Sequence, residues 1–358
     1  MHPPLSCEIW YLSHYCNSHR HVYPTYTHTP SDTGNMSRLD VTETFHGISL
    51  PGHLHTKDSL NYATQFPFQD SDTLIVSYPK SGTTWMQEMV TLILSRGDPT
   101  PSQTVPNWAR APWLEQYYCP QVLSAAQGPR VLTTHLPYHT LAPALRGSKA
   151  RVIYIARNPR DVAVSYYHFH HMAKFLPEPG SFEEFLNNFL EGKVHYGSWF
   201  NHVKGWTDPK KDIENFFFIT YEEMLKDLRG SLQRVSSFLQ CPLQEEEINR
   251  AQEQCSFSTM KDNDMVNYKL VTQDIMDHSR GKFMRKGKSG DWRNTFHEHQ
   301  SRDFDAVYEA QMQESHLKLM WTSTDTQMQE SHLKLMWTST DTQMTATSPA
   351  LTSRLHSG

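Results

Sequence analysis

Four short apolar runs punctuate the middle of the chain, and helix-period patterns separate them. They are DTLIVSYP (72–79), RVLTTHLP (130–137), ARVIYIARNP (150–159) and NFFFITYEE (215–223). Unbroken apolar runs of this length suit strands covered on both faces. After the last run, Leu225, Leu228, Leu232, Val235 and Leu239 recur at three- and four-residue spacing, the signature of one apolar helix face. Strand–helix alternation predicts an α/β fold: a single domain with a central parallel sheet flanked by helices. Ligands on such sheets bind beyond the C-terminal ends of the strands, so the residues that follow each run are the candidates for chemistry.

Both ends of the chain lack this periodicity and are rich in His, Thr and Ser. The string QMQESHLKLMWTSTDT at 311–326 recurs unchanged at 327–342. Two identical copies are too few and too alike for a solenoid, and they read as a recent duplication. The expected division is a poorly ordered N-terminal extension over 1–44, a domain over 45–312, and a low-complexity tail over 313–358. Residues 1–35 read as an extension or an upstream start, with Met36 opening text of ordinary domain character.

Composition removes several classes. Thirty-three Lys+Arg against 38 Asp+Glu leave a formal charge of −5, which argues against a broad surface for nucleic acid. No run approaches the roughly 18 apolar residues of a membrane span, and the first thirty residues do not resemble a signal peptide. Cys7, Cys16, Cys119, Cys241 and Cys255 are odd in number and scattered, so neither a disulfide framework nor a zinc site is indicated. A reducing, cytoplasmic setting fits. His168, His170 and His171 cluster without a carboxylate or cysteine at ligand spacing, so no metal is expected.

Four loops carry the candidate chemistry. The first is Tyr78-Pro79-Lys80-Ser81-Gly82-Thr83-Thr84-Trp85, a tight turn ahead of a helix whose free N–H groups suit phosphate. Lys80 adds a charge; Ser81, Thr83 and Thr84 add hydroxyls. Lys80 precedes the glycine, so the loop is P-loop-like without the Walker pattern. The second holds His135 at a strand end, where an imidazole could take a proton from a hydroxyl. The third, Arg157-Asn158-Pro159-Arg160-Asp161 through Ser165, offers Arg157 either to a phosphate or to a structural pair with Asp161. The fourth runs from Phe283 to Trp292, and four cations over residues 282–288 (Lys282, Arg285, Lys286 and Lys288) surround Gly287, a second anion site.

Together these loops closely resemble the cytosolic sulfotransferases, over about Phe45 to Met312. YPKSGTTW resembles that family's 5′-phosphosulfate loop, and RNPRDVAVS and RKGKSGDW resemble its 3′-phosphate elements. WARAPWLE (108–115), YGSWFNHVKGW (196–206) and the pair NYKL…MRKG (267–287) are most similar to the hydroxysteroid (alcohol) branch. The resemblance implies a co-substrate, 3′-phosphoadenylyl sulfate, a small hydrophobic hydroxyl-bearing acceptor and no metal. It implies that Lys80 stabilises the leaving phosphate, that His135 is the general base, and that Ser165 and Arg157 bind the 3′-phosphate. The serine would also restrain Lys80. Trp85 and Phe257 would sandwich the adenine near Tyr221 and Thr259, while Arg285, Lys286 and Gly287 close over the 3′-phosphate.

One segment departs from the family pattern. Where the family carries its dimer signature, this chain has His297, Glu298 and Arg302, which places a homodimer in doubt. Trp108, Trp113, Tyr117, Phe169 and Trp206 could line an acceptor pocket or belong to the core. Competing functions are a phenol-type acceptor, a P-loop kinase, and a nucleotide-binding module without transfer. The misplaced lysine counts against the kinase, and the presence of both Lys80 and His135 against the inactive module.

Overall fold

The computed structural model describes residues 39, 41–124, 129–313, 315 and 317. The expected extension up to 38, the duplicated string beyond 317 and the remaining tail lie outside the described residues.

All four apolar runs form strands. After the hairpin β1 (Thr42–Phe45) and β2 (Ile48–Pro51), the runs give β3 (Thr73–Ser77), β4 (Val131–Thr134), β5 (Arg151–Ala156) and β6 (Asn215–Thr220). The last four make one parallel sheet in the order β4-β3-β5-β6. Its registers set apolar residues side by side: Leu74 opposite Leu132, Ile75 opposite Ile153, and Ile155 opposite Ile219. The hairpin begins at Thr42, inside the stretch assigned above to the extension, and Gly52 N–H donates to the Val41 carbonyl at its open end.

Alternate strand residues face opposite layers. Ile153 and Ile155 join Met86, Val90 and Ile93 of the helix Thr83–Leu94, and Leu232 and Val235 of the helix Leu228–Phe238, in one buried cluster. On the other face Tyr154 stacks on Trp206 at 6.1 Å between ring centroids. The predicted leucine stripe holds from Leu228 onward. Leu225 falls outside it, because the chain breaks at Asp227, whose carboxylate caps the helix beginning at Leu228 by accepting Gly230 N–H. Leu225 is left exposed.

From β3 the chain passes to β4 on one side and then crosses to β5 on the other. The crevice of an open parallel sheet lies where the strand order reverses, here between the C-terminal ends of β3 and β5. The last long helix, Glu298–Met312, starts at the altered segment: His297, Glu298 and Arg302 are exposed, and Arg302 pairs with Glu298 at 2.7 Å. Among the described residues no helix is long and apolar enough to cross a membrane.

Candidate active site

The loop after β3 turns through two left-handed residues, Lys80 (φ 67°) and Gly82 (φ 102°). A Cβ on Gly82 would lie 2.8 Å from the Tyr221 ring, so glycine is required for both space and backbone. The turn delivers the free N–H groups of the helix Thr83–Leu94 into the crevice. Ser77 Oγ and Thr83 Oγ1, 2.6 Å apart, tie strand to helix. Lys80 Nζ lies 4.1 Å from the ring centroids of both Phe169 and Phe283. Burial, reinforced by the positive charges of Arg157 and Arg285, lowers its pKa to about 7.

Arg157, at the end of β5, joins two loops. It donates to the Lys80 carbonyl at 2.9 Å and to the Lys288 carbonyl at 3.2 Å, and its guanidinium lies 4.3 Å over the Tyr221 ring. Its Nε is buried with no partner among the described residues. The structural pair with Asp161 does not form. Asp161 instead accepts Gly290 N–H (2.6 Å), Trp292 N–H (3.0 Å) and the Ser289 hydroxyl (3.2 Å), anchoring the fourth loop. Arg285 and Lys286 pair with Asp291 at 2.8 and 2.6 Å. Burial opposes ionisation of Asp291, but hydrogen bonds from Lys286, Asn294 and Arg285 hold it near 2. Gly287 (φ 64°) passes so close to Phe257 that a Cβ would lie 2.2 Å from its ring.

His135 follows β4 and is buried. Its Nδ1 sits 2.6 Å from the Ser77 carbonyl, which can only accept, so Nδ1 carries the proton and Nε2 keeps its lone pair. Burial above all, with nearby positive groups including Lys80, lowers its pKa to about 3. The imidazole is therefore neutral and ready to accept at physiological pH. Trp113 packs on it at 4.4 Å and Tyr196 meets it edge-on at 5.2 Å.

One cavity of about 350 Å³ joins these parts. Its cationic end is walled by Lys80, Arg157, Arg285 and Lys286, with Gly82, Thr83, Thr84, Trp85, Ser165, Tyr221, Phe257 and Gly287. Its aromatic end holds Trp108, Trp113, Phe169, Tyr196, Tyr268 and Phe283, and His135 lines the same space. Two expected binders are not on this wall. Thr259 lies two residues beyond Phe257 on a helix, hence on the opposite side; it borders a separate hollow, and its Oγ1 accepts from Ser256. Ser81 is fully buried beneath the loop, its hydroxyl without a partner among the described residues. Of the aromatics left open above, Trp206 is core, its Nε1 donating to the Leu136 carbonyl at 3.0 Å, and Tyr117 packs behind the pocket.

Two carboxylates escaped the motif reading. Glu222 accepts Asn158 N–H at 3.1 Å beside Arg157, and Glu115 accepts His135 N–H at 2.8 Å. Burial raises each to about 7, against the hydrogen bonds and, for Glu222, the charge of Arg157. A carboxylate beside a loop motif carries no spacing signature of its own. Glu115 at least stands inside WARAPWLE.

A family model described as a sulfotransferase domain matches residues 70–316. Sulfotransferase 2B1 of Mus musculus is 46% identical over 269 residues, covering 75% of this chain and 79% of that protein. The 3-beta-hydroxysteroid sulfotransferase of Cavia porcellus is 40% identical over 274 residues, covering 76% and 95%. Among solved structures, a mouse sulfotransferase complexed with PAP superposes with TM-score 0.63 at 30% identity, covering 77% of this chain and 96% of that one. Retinol dehydratase in complex with retinol and PAP gives TM-score 0.66 at 26% identity, covering 79% and 94%.

Proposed function

The chain belongs to the sulfotransferase family, and on that premise we propose that it transfers a sulfuryl group from 3′-phosphoadenylyl sulfate to the hydroxyl of a hydroxysteroid or related alcohol. The observation that carries the reading is the continuity of one cavity from a cationic pole to an aromatic one, with the neutral His135 imidazole on its wall. The residues fit a doubly anionic nucleotide. Arg157 keeps a buried Nε without a partner among the described residues, and the Gly287–Phe257 approach leaves room for backbone but not for a side chain.

In this reading Trp85 and Phe257 stack on the adenine, and Tyr221 borders it. Arg157, Ser165, Arg285, Lys286 and Gly287 hold the 3′-phosphate, while Gly82, Thr83 and Thr84 hold the 5′ side through the helix N-terminus. Ser81 contributes backbone to that turn. Trp108, Trp113 and Phe169 flank the acceptor. The acceptor oxygen forms a bond to sulfur as the sulfur–oxygen bond to the 5′-phosphate breaks. His135 Nε2 takes the hydroxyl proton, and Lys80 meets the charge that grows on the departing oxygen. Such a transfer has a loose transition state, so positioning and electrostatics do most of the work.

A phenol acceptor is the second reading, favoured only by the flat aromatic walls. The charged His297–Arg302 segment supports a chain that does not pair through it, and the buried thiols of Cys119, Cys241 and Cys255, in no disulfide among the described residues, suit the cytoplasm. The test is labelled donor with a 3β-hydroxysteroid, cholesterol and a simple phenol as acceptors. Label should pass to the steroid first; transfer to phenol alone overturns the acceptor class, and transfer to none overturns the activity.

A further inference from the structure

The main chain of His135 is held from two sides. Its N–H donates to Glu115 Oε1 at 2.8 Å, and its carbonyl lies 3.1 Å from His202 Nε2. That carbonyl only accepts, so His202 Nε2 carries a proton and Nδ1 takes one from the Tyr154 hydroxyl at 2.9 Å. Next along, Leu136 C=O receives Trp206 Nε1–H. The Glu115 bond alone comes from the acceptor side of the cavity.

Glu115 stands in a segment that lengthens the sheet edge beyond β4. Trp113 bridges Thr133 there, and Leu114 N–H donates to the Thr133 carbonyl at 2.8 Å. The Ser59 hydroxyl secures the Glu115 carbonyl at 2.8 Å. The same six residues present Trp113, Gln116 and Tyr118 to the cavity. Glu115 itself is fully buried, its carboxyl taking hydrogen bonds from His135 N–H and the Thr134 hydroxyl. Burying a carboxyl in an apolar setting costs more than so few hydrogen bonds return, so a stability role accounts poorly for it.

We propose that Glu115 is a positioning residue for transfer: its carboxylate locks the His135 backbone to the Trp113–Tyr118 wall, so that the base and the acceptor surface move as one body. The proposal rests on the assignment of His135 as base. Without the lock, the imidazole keeps its Ser77 contact but loses its registration against the wall that seats the acceptor hydroxyl. A misplacement of about 1 Å in such a site costs up to roughly a hundredfold in rate. The nucleotide end is held by other elements and is untouched.

The test compares Glu115→Ala, Glu115→Gln and His135→Ala in the full chain, reading kcat, KM for a steroid acceptor, and PAP affinity by calorimetry. Glu115→Ala should lose at least tenfold in kcat with PAP affinity within twofold of the parent. Glu115→Gln, whose amide oxygen can accept the same N–H, should regain most of that loss. The proposal fails if Glu115→Ala keeps its kcat, if PAP binding falls in step with activity, or if Glu115→Gln is as impaired as Glu115→Ala. Should Glu115→Ala not fold, Glu115→Met, which keeps the volume without an oxygen acceptor, takes its place: near-parental kcat there overturns the lock, and a tenfold loss that Glu115→Gln regains supports it. His135→Ala separates the two assignments, because full turnover there removes the base itself whatever the Glu115 variants do.

Discussion

Nucleotide binding above neutral pH should draw a proton into the site through Lys80. Its ammonium is buried between two rings, faces Arg157 and Arg285, and pairs with no carboxylate among the described residues. Those surroundings lower its pKa to about 7 from the ordinary 10.5. At pH 8 about one Lys80 in ten is then charged, and an arriving anion restores the charge, so binding takes up about 0.9 proton. At pH 6 the side chain is already protonated, and the same arithmetic leaves about 0.1 proton as its own share. The perturbation is the pH step combined with Lys80→Met, which keeps the stem and removes the titrating group. Calorimetry with PAP in two buffers of different ionisation heat counts the protons directly. PAP phosphates are fully ionised at pH 8 and do not contribute. Zero uptake at pH 8, or equal uptake in Lys80→Met, refutes the reasoning. The linked stability has a definite sign. The unfolded chain binds more protons between about pH 7 and 10.5, so the ligand-free protein gains stability from this group as pH rises through that window.

Arg285→Ala should weaken 3′-phosphorylated donor far more than adenosine 5′-phosphosulfate; equal losses measured by competition would move the loop away from the 3′-phosphate. Gly287→Ala forces a methyl into the Phe257 ring at a positive φ. Overpacking of that kind costs about 1–3 kcal/mol, so PAP affinity should fall roughly tenfold or more, and parental affinity would contradict the close approach. Asp161→Ala removes three bonds from the Ser289–Trp292 turn. Thermal melting should show a loss of about 4.5 kcal/mol or more, since hydrogen bonds to charged groups are worth about 1.5–3 kcal/mol each, and PAP should stabilise the variant less than the parent. Light scattering should find a monomer; a dimer abolished by changing His297 and Arg302 would show that the charged segment still pairs.

Local pattern and tertiary arrangement divide the credit for this site along a physical line. The four strands were legible because a strand buried on both faces must be continuously apolar, and nothing distant alters that. Their loops were legible for a similar reason: a turn that frees helix N–H groups needs its glycine and small polar residues adjacent in sequence. Lys80, His135, Arg157 and Arg285 stand in or beside such loops, and the structure brings all four to one cavity. Thr259 lies off the cavity wall because a motif string conceals helical phase, and Phe257 and Thr259 fall on opposite sides of one short helix. Leu225 was misread because Asp227 ends one helix and caps the next, although the spacing runs on unbroken.

What sequence by itself determined was which residue types stand at the ends of which strands. What only the tertiary structure decided was which partners those residues meet. Asp161 serves a loop 128 to 131 positions away rather than its neighbour Arg157, and Glu115 and His202 clasp His135 from 20 and 67 positions away. The physical reason is the strand order β4-β3-β5-β6. It brings the ends of four strands together and sets which buried donor finds which acceptor, and no local spacing records that outcome.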